Sequence, residues 1–189
     1  MIDGEWLNAP VDVVGDGDGD ALLVTAAQGS DFWRTTSYGY DRDGGHALLA
    51  PFAAEAAFEV SFVADYDRQF DQAGLLVRID ASTWTKAGLE YCDGAMQLGA
   101  VVTRGVSDWS SAPVDWTGRE VTIRASRSGD AVTVRARAGD EPWRMIRLAP
   151  FPAGVPAFAG LYCCAPERAG LTVRFTNAAF TAPDDALHP

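Results

Sequence analysis

A chain of 189 residues, 48% hydrophobic and 22% charged, is long enough to bury a core and ordinary enough in composition for one globular domain. Its formal net charge of −11 argues against a nucleic-acid backbone or an anionic membrane as the main partner. No stretch approaches about 18 uninterrupted apolar residues, and "MIDGEWLNAP" lacks a basic-then-apolar leader pattern, so a cytoplasmic protein is expected.

In chain order, strands are predicted over residues 22–25, 46–49, 56–64, 73–79, 84–91, 97–104, 121–125, 131–138, 143–148, 157–163 and 171–176. The clearest alternation is in 121–125 and 131–138. There Val121, Ile123, Val132, Val134 and Ala136 oppose Thr122, Arg124, Thr133, Arg135 and Arg137. "SGD" at 128–130 joins these two strands as a tight turn. Residues 53–57 could form a brief helical turn, but they are too few for a helix. About eleven strands with recurrent turn signals ("DRDGG", "YCDGA", "AGDEP", "PERAG") imply an antiparallel sandwich or barrel, with one domain over 1–182 and a frayed tail over 183–189. Exposed sandwich edges leave room for a homodimer.

No cofactor or metal site is expected. "GDGDGD" at 15–20 begins like a calcium loop, but alanines stand at 21 and 27 where the pattern needs glycine and glutamate, so it reads as a solvated turn. Two histidines, His46 and His188, are too few for a zinc centre. Cys92, Cys163 and Cys164 form no disulfide framework. Adjacent cysteines in a strand point to opposite faces, so at most one of Cys163 and Cys164 is expected in the core.

The chain has 14 arginines and a single lysine, Lys86, two residues after Trp84 and four before Glu90. Residues 73–91 read as a hairpin. A loop of about three residues at 81–83 would pair Asp80 with Trp84 and Arg78 with Lys86. Leu75, Val77 and Ile79 then share the core face with Thr85, Ala87 and Leu89. The opposite face carries Arg78, Asp80, Trp84, Lys86 and Glu90, with Gly74, Leu76 and Gly88. Lys86 and Glu90, about 13 Å apart along one strand, cannot pair directly. One tryptophan, two cations and two acids on one sheet face suit a polar ligand such as a sugar, whose apolar side stacks on a ring while charged groups bind its hydroxyls. The competing reading is an exposed salt-bridge lattice. Two aromatic-rich segments join this face as candidates: "SDWS" at 107–110, placing Asp108 and Trp109 at a rim, and "DFWRTTSYGYDRDGGHA" at 31–47, expected as a loop.

"DFWRTTSYGYDRDGGH", "YDRQFDQAGLLVRIDASTWTKAGLEY", "VVTRGVSDWS", "WRMIRLAPFP" and "CCAPERAGLTVRF" resemble the concanavalin-A-like family catalogued as "domain of unknown function 1349", from about Trp6 to Phe180. The resemblance implies an all-β, concanavalin-A-like jelly-roll sandwich of two curved antiparallel sheets, with ligand on the concave face. It implies binding residues at Arg34, Tyr38, His46, Asp71, Gln72, Arg78, Trp84, Lys86, Glu90, Ser107, Asp108 and Trp109, with Arg168 a further candidate. The leading expectation is non-catalytic binding of a carbohydrate or sugar-phosphate ligand. The alternatives are a carbohydrate-active enzyme using Glu90 with a second acid, and a regulatory protein that binds a protein partner. No stretch carries the alternating acids that related glucanases place on one strand.

Overall fold

The computed structural model describes residues 1–17 and 21–188, and among them every regular element is a strand. In chain order these are β1 (Glu5–Leu7), β2 (Asp12–Gly15), β3 (Leu22–Thr25), β4 (Phe32–Arg34), β5 (Asp41–Asp43), β6 (His46–Pro51), β7 (Ala56–Val63) and β8 (Gln72–Asp80). They continue as β9 (Thr83–Cys92), β10 (Ala95–Arg104), β11 (Val106–Pro113), β12 (Glu120–Ser128), β13 (Ala131–Ala138), β14 (Arg144–Pro150), β15 (Phe158–Cys164) and β16 (Thr172–Thr181).

Two seven-stranded antiparallel sheets stack as a jelly roll. The first has the order β1-β6-β15-β8-β9-β10-β11, the second β14-β13-β12-β7-β16-β3-β2. The chain repeatedly changes sheet: β6 and β8 flank β7 of the other layer, and β15 returns to the first sheet between β14 and β16. The sheets enclose one core, with Leu75, Val77, Ala87, Leu89 and Leu161 from the first meeting Phe58, Val60, Phe62, Val121, Ile123, Val134 and Phe175 from the second. The eleven strands expected from sequence are all present. The 15–20 turn lies partly outside the described residues. Within 53–57, residues 54–55 form a bend and 56–57 open β7, so there is no helical turn.

The central strands of the first sheet, β15, β8 and β9, are buried on both faces. A two-stranded ribbon, β4–β5, lies across its outer side and encloses a second apolar cluster of Phe32, Trp33, Ala47, Leu76, Trp84, Val101, Tyr162 and Cys164. The segment expected as a loop is therefore a structured flap. Gly44 and Gly45 amides both donate to the Asp31 carbonyl and close its base. Only a glycine fits at 45, because an added Cβ would lie 2.2 Å from the Phe32 ring. The flap also explains the cysteines: Cys163 faces the main core and Cys164 the flap cluster, so both are buried and free.

The β8–β9 register differs from the expected one by two residues. Arg78 pairs with Trp84 and Leu76 with Lys86, and the register shifts between Arg78 and Asp80. The cause is a tighter turn: Asp80 Oδ1 accepts from the Ser82 amide at 2.7 Å and the Ser82 hydroxyl at 2.8 Å. A shift of two preserves which face each side chain occupies, so Lys86 lies away from the main core as expected. The tail is also tied down where fraying was expected: Asp184 accepts from Arg124 Nε at 2.7 Å, and the Leu187 carbonyl accepts from Arg135 at 2.8 Å.

Gly74 and Gly88 face each other across β8 and β9. A Cβ at 74 would lie 2.0 Å from the Ala87 carbonyl oxygen and 2.7 Å from the Gly88 Cα. Gly74→Ala is expected to lower stability by about 1–3 kcal/mol in urea unfolding, the usual cost of forcing volume into a packed interior. Gly15→Ala, with no neighbouring heavy atom within 4 Å, is expected to change it by less than about 0.5 kcal/mol.

Candidate functional site

Between the flap and the exposed half of β9–β11 lies a pocket of about 50 Å3, room for a few water molecules, lined by Asp31, Trp33, Tyr38, Tyr40, Phe70, Lys86, Glu90, Val101, Trp109 and Pro166. Its floor is polar. Strand alternation puts Lys86 and Glu90 on the flap side of β9, and the Gln72 side chain of β8 bridges them. Lys86 Nζ donates to Gln72 Oε1 at 2.6 Å, and Gln72 Nε2 donates to Glu90 Oε1 at 3.3 Å. The two residues that cannot reach each other along β9 are thus joined by one amide. Asp31, at the flap's first residue, completes the network: its Oδ1 lies 3.2 Å from Lys86 Nζ and accepts the Phe32 amide at 2.8 Å.

These contacts set the charges. Burial works against the Lys86 ammonium, but Asp31 and Glu90 outweigh it and its pKa is raised, so it stays charged. Burial pushes the Glu90 carboxyl from 4.5 up to about 7; Lys86 opposes that shift and Asp31 adds to it.

The walls are aromatic. The flap supplies Trp33, Tyr38 and Tyr40, and the outer face of β11 supplies Trp109. Trp33 stands edge-on to Tyr38 at 5.4 Å and to Trp109 at 6.4 Å between ring centres. Tyr38 and Tyr40 stack at 5.6 Å. Both are well exposed, Tyr38 at 48% and Tyr40 at 40%, so the mouth of the pocket offers ring surface to solvent. Phe70 holds a positive φ of 63°, an unfavourable conformation for a bulky residue; its carbonyl accepts from Gln72 Nε2 at 3.2 Å.

Of the residues expected at a binding face, Tyr38, Lys86, Glu90 and Trp109 line this pocket and Gln72 bonds its floor. The others do different work. Trp84 cannot stack on a ligand, because it is 1% exposed and packs against Phe32 at 6.0 Å beneath the flap. Arg78 is engaged by Asp43 through two bonds of 2.7 and 2.8 Å, clamping the flap to β8. Arg34 ties the flap to the β10–β11 turn: its amide donates to Ser107 Oγ at 2.9 Å and its Nε to the Gly105 carbonyl at 3.0 Å. His46 is buried, accepting the Ala27 amide on Nε2 at 2.9 Å and bonding the Asn8 carbonyl through Nδ1 at 2.8 Å. These partners assign it the neutral tautomer with the proton on Nδ1. Asp71 is fully buried and paired with Arg168. Asp108 alternates to the opposite side of β11 from Trp109 and joins Arg147 of β14 at 2.7 Å, linking the two sheets at their edge.

The lining residues missing from the sequence-based set are Asp31, Trp33, Tyr40, Phe70, Val101 and Pro166. Three of them sit in the flap segment, whose density of aromatic residues was the available signal. Nothing in the spacing connects position 31 with position 86.

A profile described as "Protein of unknown function (DUF1349)" matches residues 6–183. "Regulation of enolase protein 1" of Saccharomyces cerevisiae is 38% identical over 186 residues, 98% of this chain and 93% of that protein. The crystal structure of a functionally unknown protein from Saccharomyces cerevisiae superposes with a TM-score of 0.89 at 36% identity, covering 96% of this chain and 97% of that one. The GH43 protein BlXynB of Bacillus licheniformis shares the fold at 11% identity, with a TM-score of 0.71 over 92% of this chain and 35% of its own.

Glu90 carries a testable consequence. Between pH 4.5 and about 7 the folded protein retains a proton that the unfolded chain has released. Stability should therefore fall as pH rises through that window, with a slope below about 1.4 kcal/mol per pH unit, the limit for one proton. Urea unfolding across this range is expected to show the slope in the wild type and its loss in Glu90→Gln.

Proposed function

The chain belongs to the DUF1349 family of proteins of unknown function, and from that premise we propose that it binds a carbohydrate or sugar derivative, without catalysis, in the flap pocket. The observation that supports this most is the combination of an aromatic mouth with a charged floor. Tyr38 and Trp109 offer ring surface on which the apolar side of a sugar can stack, while the Tyr40 ring is stacked on Tyr38 and covered by the Arg42 guanidinium. Lys86, Glu90 and Asp31 lie beneath them with donors and acceptors for ring substituents. Stacking fixes the plane of the ring and the polar groups choose among sugars.

The acids are already bridged inside the protein, which supports a binding role for them. Gln72 Nε2 lies 3.3 Å from Glu90 and 3.5 Å from Asp31, so the two carboxylates flank one side chain on a single floor. A glycosidase needs its two carboxyl groups on either side of the scissile bond. The yeast relative's name refers to regulation of enolase, which supports a regulatory use of the bound state over an enzymatic one. GH43 proteins share the sandwich at low identity, and that likeness concerns the fold alone.

Calorimetric titration of the folded protein against a panel of mono- and oligosaccharides is the test. Tyr38→Ala and Trp109→Ala are each expected to weaken the best ligand about tenfold, the scale of one lost stacking contact, with circular dichroism unchanged. Absence of binding to any sugar by folded wild-type protein would overturn the proposal. Trp84→Ala is unsuitable as a binding probe, because removing that buried ring is expected to destabilise the sheet by about 3–5 kcal/mol.

A further inference from the structure

The floor of the pocket has more acceptor than donor capacity left over, and that imbalance bears on which sugars fit. Lys86 directs two of its three N–H donors to Gln72 Oε1 and Asp31 Oδ1. The Gln72 amide nitrogen is directed at the Phe70 carbonyl, Glu90 Oε1 and Asp31 Oδ1. Among the described residues, Asp31 Oδ2 and Glu90 Oε2 receive no hydrogen bond from the protein. Neither is a fully enclosed orphan, so both are open to water or a ligand. Two carboxyl groups and one ammonium, already paired, leave a floor that is neutral or negative but never positive.

The walls act in the same direction. Aromatic faces carry negative electrostatic potential and attract cations. The flap already shows this, since the Arg42 guanidinium sits 4.6 Å over the Tyr40 ring. Trp33, Tyr38 and Trp109 line the same pocket as Asp31 and Glu90. A volume of about 50 Å3 suits one substituent of a ring better than a whole ring. The ring itself would rest at the mouth, against Tyr38 and Trp109.

We infer that the pocket selects a ligand bearing a positively charged nitrogen, and that within the carbohydrate reading, on which this rests, the class is an amino sugar with its ammonium group free. The ammonium enters the aromatic enclosure and donates to Glu90 and Asp31. A uronate or sugar phosphate in the same place would meet two carboxyl groups and a lysine whose charge is already matched.

The test is calorimetric titration of the full chain near neutral pH with glucosamine, glucose, glucuronate and choline, for wild type and Glu90→Gln. The expected result is glucosamine binding at least about tenfold tighter than glucose, with glucuronate weakest. In Glu90→Gln the glucosamine-to-glucose ratio should fall to near one. Equal affinities for glucose and glucosamine, or glucuronate binding tightest, would overturn the cation selectivity while leaving sugar binding in place. Choline binding with no sugar binding would support cation selection and overturn the carbohydrate reading. Binding of none of the four probes by the folded protein would overturn the selectivity.

Discussion

The buried ammonium of Lys86 is the constraint on which the flap and pocket depend. It emerges on the outer face of the first sheet, yet it is only 4% exposed because the β4–β5 flap lies over it. Covering an unpaired ammonium would cost several kcal/mol, more than a short ribbon could recover by packing. Asp31 and Gln72 make that cover tolerable by satisfying the charge and two of its donors. With Asp31 held there, Phe32 is carried onto Trp84 and Tyr162, and Trp33 is carried over Val101 and Trp109. The bidentate Arg78–Asp43 pair and the Arg34 bonds to Ser107 and Gly105 fasten the rest of the ribbon. A single lysine in a chain of arginines fits this role, since a compact point charge reaches one carboxylate and one amide, where a planar guanidinium would need a wider set of acceptors.

Most of the sandwich was legible in the sequence because most strands are half-buried. In β12 and β13 the residues alternate between core and solvent, and period-two reading finds both the strands and the faces. It also assigned the correct side to Lys86. The elements it missed lack that contrast. β1, β4 and β5 have three residues each, β2 has four, and "DRD" reads as a turn. β11, "VSDWSSAP", is a polar edge strand. The β8–β9 register escaped because one aspartate side chain tightened the turn, a local bond that alternation does not report.

The candidate site was legible only in part, for a related reason. Alternation shows which residues leave the core; it does not show what else covers them. Arg78, Trp84 and His46 all carry ligand-like side chains, but Arg78 and Trp84 support the flap, and His46 is engaged by the Ala27 amide and the Asn8 carbonyl. Asp71 and Asp108 pair with arginines distant in the sequence, Arg168 between β15 and β16 and Arg147 on β14. The residues that do face the pocket combine two regions about fifty positions apart, the flap and β9, joined by an ion pair that exists only in the folded chain. The same ion pair sets the electrostatics of the floor. It leaves Glu90 as the group without a cation of its own, and burial then keeps its proton near neutrality.

Hydrogen exchange on Lys86→Met, compared residue by residue with the wild type, tests this dependence most directly. Methionine keeps the apolar stem of the lysine and removes the charge that Asp31 answers. The expected result is a selective loss of protection at amides of β4, β5 and the flap base, notably Phe32, Gly44 and Gly45, while β7, β12 and β13 of the second sheet keep theirs. Protection of the flap amides equal to wild type would contradict the claim that the Lys86–Asp31 contact holds the flap and, through it, builds the pocket.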